Sequence, residues 1–335
     1  MLTTDYDSLY DNTIKGLFYD VAADRVEKDT GMQIFDVKDS KRQTITKQMI
    51  HGQTGVAFVA QGGDLPNSSG EEGDSISATQ QYYGSQVVVT KHMRTFMIEN
   101  SGADGDPDLS AVEELVQSIV DDGFDKIDQS YADVLLFGFS TSYTDVYGRL
   151  QTSVTPDGDA LFSSSHTQLN ESFSNLCVDN AGNTNVALSR EAVIATRNAA
   201  LKYHDANGIL RPIELDTLVV GPDLSDLADR IIFSDKIQGK ADNDMNKTTP
   251  LRGIKVVVWN RLASDGQGTA KGTYWFMISS SKKKYSLKSY FAQKPMLAKA
   301  KEGVSNTNWY YPFDFFYTIL RFAPQYVRGS TGLGA

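Results

Sequence analysis

The stretch PDLSAVEELVQSIVDDGFDKIDQSYADVLLF, residues 107–137, decides the fold. Within it Leu109, Val112, Val116, Ile119, Val120, Phe124, Ile127, Tyr131, Val134 and Leu135 recur at steps of three and four. That spacing puts them on one face of an α-helix. Pro107 stands near the start, where its missing N–H removes no helical hydrogen bond. Gly123 is a mild interruption, and Gly138 supplies a stop. A helix of about 30 residues spans roughly 45 Å, more than a small core needs. Heptad regularity is poor, so the pattern predicts a structural spine rather than a coiled coil.

Upstream, Leu9, Ile14, Leu17, Phe18 and Val21 form a helical stripe over residues 5–26. Asp5 or Asp7 supplies a cap, and Gly31 breaks the run. The chain therefore opens with a helix-bearing arm. Residues 32–60 read as short strands, with Val56, Phe58 and Ala60 between glycines. The segment GGDLPNSSGEEG, residues 62–73, is turn-rich and polar. Strand rhythm returns over 75–98 with Val87, Val89, Phe96 and Ile98. The excursion 50–98 is extended chain folding back around a tip. It has too few apolar residues for a core of its own, so it needs a surface to lie on, such as a neighbouring subunit.

Downstream, 139–188 is loop-rich with short strands. A helix is predicted over 189–204, begun by Ser189 and stopped near Asn207-Gly208. Strands follow at Leu215–Val220, Ile254–Trp259 and Gly272–Ser279, with a helix from Pro222 to about Phe233. This alternation describes an α+β domain. The segment 285–328 is aromatic and strand-like, and Gly329–Ala335 reads as a loose tail. No internal repeat stands out.

Composition is that of a globular chain of 335 residues, with 40% hydrophobic and 22% charged residues, which excludes wholesale disorder. The net charge of -10 opposes long-range attraction to nucleic acid. The charge is uneven. Between Ala103 and Asp159 the only bases in an acid-rich stretch are Lys126 and Arg149, whereas 282–301 carries lysines and no acid. Separate acidic and basic regions suit pairing between copies, or are simply solvated faces. The one cysteine, Cys177, excludes an intrachain disulfide scaffold and any cysteine-based zinc site. Asp5, Asp7 and Asp11 replace the basic start of a signal peptide, and no apolar run is long enough for a transmembrane helix. A soluble protein made in a cytoplasm, with no membrane partner, is expected.

Catalytic motifs are missing. His51, His92, His166 and His204 have no histidine or cysteine at ligand spacing. Asp157, Asp159 and His166 are the nearest approach to a metal cluster, and a turn explains them equally well. Asp242, Asn243 and Asp244 lack the terminal Glu of a calcium loop. No phosphate-binding glycine loop or nucleophile elbow occurs. No enzyme, cofactor or metal is expected.

The order of elements, with three local phrases, resembles the tailed-bacteriophage major capsid proteins of the HK97-type fold, the Mu-like major head subunits or a relative among them. Asp157-Gly158-Asp159-Ala160-Leu161-Phe162 followed by Ser165-His166 is similar to a DG-x-x-LF…H segment found after the spine helix. Asp216-Thr217-Leu218-Val219-Val220-Gly221-Pro222 is similar to an L-V-V-x-P strand, and Leu251–Leu262 to the strand that follows it. The likeness spans nearly the whole chain and rests on order and spacing more than on any one motif. It implies an N-terminal arm at 1–49, an extended β-hairpin loop at 50–98 and a peripheral domain with the spine helix at 99–149. A compact axial domain at 150–285 and a return to the peripheral domain with a C-terminal tail at 286–335 complete it.

The function so implied is self-assembly into hexamers and pentamers of an icosahedral head around double-stranded DNA, without sequence-specific recognition. The chain would reside in the virion capsid after assembly in a bacterial cytoplasm. A separate scaffolding protein, a portal and a decoration protein are the implied partners. Expected assembly contacts are Leu9, Leu17 and Phe18 in the arm, Phe58, Glu71, Glu72 and Asp74 in the loop, and Lys282, Lys283 and Lys284. No lysine lies between Lys47 and Lys91, so the loop crosslink of some members is not expected. The arm starts almost at Met1, so either the scaffold is separate or a precursor is longer. An encapsulin-like or other viral shell protein, and a soluble enzyme with a dispersed carboxylate site, remain alternatives. Neighbouring terminase and portal genes, or a deep polar pocket in a monomer, discriminate them.

Overall fold

The computed structural model describes residues 3–51, 58, 59, 61, 64, 65, 71–93, 110–169, 171–234, 251, 253–303 and 306–334. Helices α1 (Thr3–Lys28) and α2 (Thr30–Ile34) lead into strands β1 (Asp36–Asp39), β2 (Thr44–His51), β3 (Glu71–Thr79) and β4 (Gln81–Val89). Helix α3 (Ser110–Leu136) follows, then the short hairpins β5 (Ser142–Thr144) with β6 (Leu150–Thr152) and β7 (His166–Gln168) with β8 (Glu171–Phe173). The rest runs α4 (Arg190–Leu201), β9 (Thr217–Val220), α5 (Ser225–Phe233), β10 (Lys255–Val258), β11 (Trp275–Ile278), α6 (Lys283–Ser286), β12 (Leu287–Leu297), β13 (Lys301–Glu302), β14 (Trp309–Arg321) and β15 (Val327–Ser330). This is the α+β class expected.

The spine helix forms as its periodicity predicts. Val112, Val116, Val120, Phe124, Ile127, Tyr131 and Val134 are all buried. They pack on a sheet ordered β1-β12-β14, with β4 on the far side of β14. Gly123 is where the helix meets that sheet most closely: a Cβ there would collide with the Phe313 ring. Pro107 and Leu109 lie outside the described residues.

A second sheet, ordered β10-β9-β11-β15, is buried by two cores at once. Alternation along β9 explains how. Val219 joins the core shared with the spine helix, while Leu218 and Val220 join a second core with Trp275, Met277 and Val193. Ser189 caps α4 as expected, accepting from the Ala192 N–H at 3.1 Å.

Three readings are corrected. Gly31 does not break α1; the helix ends at Lys28, and Asp29 caps α2 by accepting from the Met32 N–H. Gly31 is needed because a Cβ there would stand 2.6 Å from Tyr131. Strand β4 leaves the loop excursion and pairs along β14, while the outbound hairpin strand begins at Thr44, inside the stretch read as arm. The stretch 329–335 is not simply a loose tail: Gly329 and Ser330 lie in β15, which is wholly buried beside β11, and the Gly334 N–H donates to the Asn185 carbonyl at 2.8 Å.

One turn recurs. At Asp145, Asp179, Asp205 and Asp265 a carboxylate accepts from the backbone N–H groups two and four residues on, and a glycine three residues on takes a positive φ. Each closes a tight reversal. The turn at Asp265 is tied to the turn at Asp145 by Gln267, whose side chain donates to the Asp145 carbonyl at 2.9 Å.

Candidate assembly surface

The β2–β3 hairpin stands apart from both sheets. Its root is anchored by Ile45, which packs with Tyr290, Leu320, Ile76 and Ala78 on the face of the first sheet turned away from the spine helix. Gln80 clamps the neck, donating to the Ser40 and Arg42 carbonyls at 2.7 and 2.8 Å. Beyond the root, Met49 and Ile50 border a cleft lined also by Tyr203, Tyr285 and Phe322. Ile50 and Leu65 are exposed, and Phe58 is 95% exposed. A two-stranded ribbon alone is marginally stable in water, so these apolar groups are available to another surface.

The expected contact residues divide. Phe58, Glu72 and Asp74 lie exposed on the excursion, with Gln48 donating to Glu72 at 3.3 Å. Glu71 belongs to β3 and Leu9 to α1, but their side chains lie outside the described ones. Phe18 is a correction: it is buried against Phe313, ring centroids 6.0 Å apart, so the chain's own core uses it. Leu17 packs on the same core. Lys283 is likewise spent internally, donating to the Gln33 carbonyl at 2.7 Å. Lys282 and Lys284 remain exposed, their ammonium groups 5.8 and 5.0 Å from the Tyr285 ring centroid.

A cleft of about 430 Å³ opens where α1, α2, the spine helix and the loop after β10 meet. Asp128 accepts there from the Gly31 N–H at 3.0 Å and from Trp259 Nε1 at 3.1 Å. Arg261 reaches Asp128 and Asp125, and Arg25 reaches Asp121 and Asp125. Asp29, 8% exposed, lies against Asp128. Its Oδ2 meets no donor among the described residues. Burial first, then the Asp128 charge, raise the Asp29 carboxyl from 3.8 to about 8. One turn along the helix, Asp133 accepts from the Gly266 N–H at 2.9 Å, and burial raises it to about 6. Sequence reasoning missed these positions. Their signal was present: carboxylates beside the buried stripe of a helix require partners.

Among the described residues, Asp157, Asp159 and His166 form the one grouping with metal-ligand spacing. Hydrogen bonds account for it. His166 Nδ1 is 2.8 Å from Asp157 Oδ2 and Nε2 is 3.2 Å from the Leu161 carbonyl, so both ring nitrogens are engaged. Thr155 donates its hydroxyl to Asp157. Burial raises the Asp157 carboxyl, but the hydrogen bonds from His166 and Thr155 outweigh it and hold it below the ordinary value. The cluster pins the 155–161 turn against β7. The calcium-like stretch at Asp242, Asn243 and Asp244 lies outside the described residues.

The fold is similar to that of a phage capsid protein. The capsid of Myoviridae phage XM1 aligns over 90% of this chain and 90% of its own, at a TM-score of 0.50 and 12% identity. A phage-related protein from Bordetella bronchiseptica RB50 aligns over 95% and 97%, at 0.48 and 11%. A virus-like particle from Pyrococcus furiosus aligns over 95% and 98%, at 0.44 and 11%. No family model and no curated protein sequence matches the chain. The likeness therefore stands on three-dimensional arrangement, and it singles out no Mu-like subfamily.

Proposed function

We propose that this chain is a shell subunit that works by assembly rather than catalysis. It is the major capsid protein of a tailed phage, forming hexamers and pentamers of an icosahedral head around double-stranded DNA. The observation that carries this reading is the hairpin: an arm of an HK97-type fold whose apolar groups Ile50, Phe58 and Leu65 stand exposed. Laid across a neighbour, such an arm buries what the monomer leaves in water. Rotational symmetry repeats the contact, and many modest contacts add to a stable container. Scaffolding, portal and decoration proteins are the partners this role calls for. The virion is its location, after assembly in the host cytoplasm.

Negative-stain microscopy of the purified chain, with and without a candidate scaffold, tests the reading. Rings of five and six or closed shells are expected, with nuclease-protected DNA in particles from infected cells. Monomers at every salt and protein concentration would overturn it. Shells filled with protein instead of DNA would replace the phage role with a cellular container.

A further inference from the structure

The hairpin is electrically polar. From Gln48 to Thr90 the chain has no lysine or arginine, and its charged side chains there are Asp64, Glu71, Glu72 and Asp74. The root has the opposite character. Lys38 on β1 and Lys288 on β12 stand on the outer face of the first sheet, because Asp36 pairs with Lys288 and Lys38 with Tyr290 in the parallel register. Lys47 on β2 shares the inward side of the hairpin with Ile45, two residues away. Lys41 and Arg42 lie exposed at the neck.

This notch is poorly neutralised. Lys38 has Asp36 at 3.2 Å. Among the described residues, Lys47 and Lys288 have no carboxylate within ion-pair distance. Lys288 is only 8% exposed, and its ammonium lies 5.5 Å from the Phe322 ring centroid. Burial, then repulsion from Lys47 and Lys38, lowers its proton affinity, with Asp36 opposing. Gathering these cations costs free energy that Asp36 offsets only in part. Among the described side chains, Glu72 and Asp74 make no ion pair with the notch. Glu72 lies opposite Ile50, three residues beyond Lys47, which is ~10 Å at strand rise.

We propose that the Lys38–Lys47–Lys288 notch at the hairpin root receives the acidic return strand, Glu72 and Asp74, of the hairpin of a second copy of this chain. The inference rests on the shell reading and names a contact within it. The contact is head-to-tail: each copy offers an acidic strand and a basic notch, so a ring of identical copies closes with every notch filled. It is continuous with the apolar hairpin surface, which a neighbour must cover in any case. Duplex DNA is the other polyanion that could enter the notch. The net charge of -10 opposes long-range attraction of a phosphate backbone.

Charge exchange tests this with exposed or half-exposed residues. Lys38→Glu with Lys47→Glu makes the notch acidic, and Glu72→Lys with Asp74→Lys makes the strand basic. Each double variant alone is expected to stay folded by circular dichroism and to lose rings and shells. Mixed in equal amounts they are expected to form six-membered rings, in which the two alternate and each variant's notch matches the other's strand, whereas a five-membered ring keeps one mismatched contact. Lys288→Met, which removes one charge and keeps the packing, is expected to weaken assembly and flatten its salt dependence. Wild-type-like assembly of either double variant, or a mixture no better than its parts, would overturn the proposal. So would duplex binding by the wild type that is lost in the notch variant while its shells persist. A wild-type chain that never assembles defeats the shell reading itself, whereas shells indifferent to the charge exchange defeat only this contact.

Discussion

Replacing Asp29 by Asn should remove a pH dependence from the stability of the monomer. Asp29 caps α2 through Oδ1, 3.0 Å from the Met32 N–H, and presents Oδ2 to Asp128 in a buried setting. The donors Gly31 N–H, Trp259 Nε1 and Arg261 serve Asp128, which leaves Asp29 to hold the proton. Its folded-state value of about 8 stands above the unfolded 3.8. Between those values the native state binds a proton that the unfolded chain has lost. The linked stability is complete below about pH 4 and falls as pH rises to about 8. At ~1.4 kcal/mol for each tenfold change in proton affinity, its ceiling is ~6 kcal/mol. Water entering the cleft on deprotonation reduces the expected loss to ~2–3 kcal/mol. Asn keeps an acceptor for the Met32 N–H and offers Asp128 a permanent donor. The Asp29→Asn chain should therefore match the wild type near pH 4 and exceed it by ~2–3 kcal/mol at pH 9. Urea unfolding at a series of pH values, below the concentration of assembly, measures this. Parallel pH profiles for the two chains would show that no proton is held at Asp29.

Other outcomes follow from the packing and from the buried turn. Gly123→Ala should destabilise by ~1–3 kcal/mol, because the methyl meets the Phe313 ring; Phe313→Leu in the same chain should recover part of that loss in a thermal melt. Asp157→Asn should cost ~1–3 kcal/mol at pH 7 by weakening the bonds to His166 and Thr155. The wild type, whose Asp157 value is depressed, loses this contribution as pH falls below about 4. The two chains should then converge in acid, opposite in sign to the Asp29 effect, and a constant gap would refute the assignment. Hydrogen exchange should be fast along β2 and β3 in the monomer and slow in shells, with the spine helix protected in both; equal protection of the hairpin in both states would count against a neighbour covering it.

Local pattern gave the spine helix, the Ser189 cap and β9, because each is written in adjacent residues: a three-four stripe, a serine before an apolar run, and Leu218, Val219 and Val220 in succession. The misreadings share a cause. Gly329 and Gly332 mark a flexible tail by composition, yet β15 forms because β11 offers it a register, Trp275 opposite Ser330 through Ile278 opposite Val327. Gly31 looks like a helix breaker until Tyr131, a hundred residues on, is seen to occupy the space a Cβ would need. Phe18 and Lys283 have the chemistry of contact residues, but Phe313 and the Gln33 carbonyl claim them first. The recurring aspartate turn was legible as Asp-x-x-Gly at 145, 179, 205 and 265; its irregular spacing hides it from a search for periodic repeats.

The attachments of the two candidate moving parts differ in kind. The two sheets share the core that contains Leu135, Phe162, Val219 and Phe276. They are also laced by polar bonds from one flank of the spine helix: Asp128 to Trp259, Gln129 to the Ser264 carbonyl at 3.2 Å, and Asp133 to Gly266. Rotating one sheet against the other would strip buried carboxylates of their donors, at a cost that grows once those carboxylates ionise. Among the described residues the hairpin is held by a small apolar anchor and the Gln80 clamp. A pivot at its root disturbs few buried groups. A pivot at the hairpin root, beside the lysine notch, is therefore less costly than rotation between the sheets, whose joint holds the body of the chain as one piece.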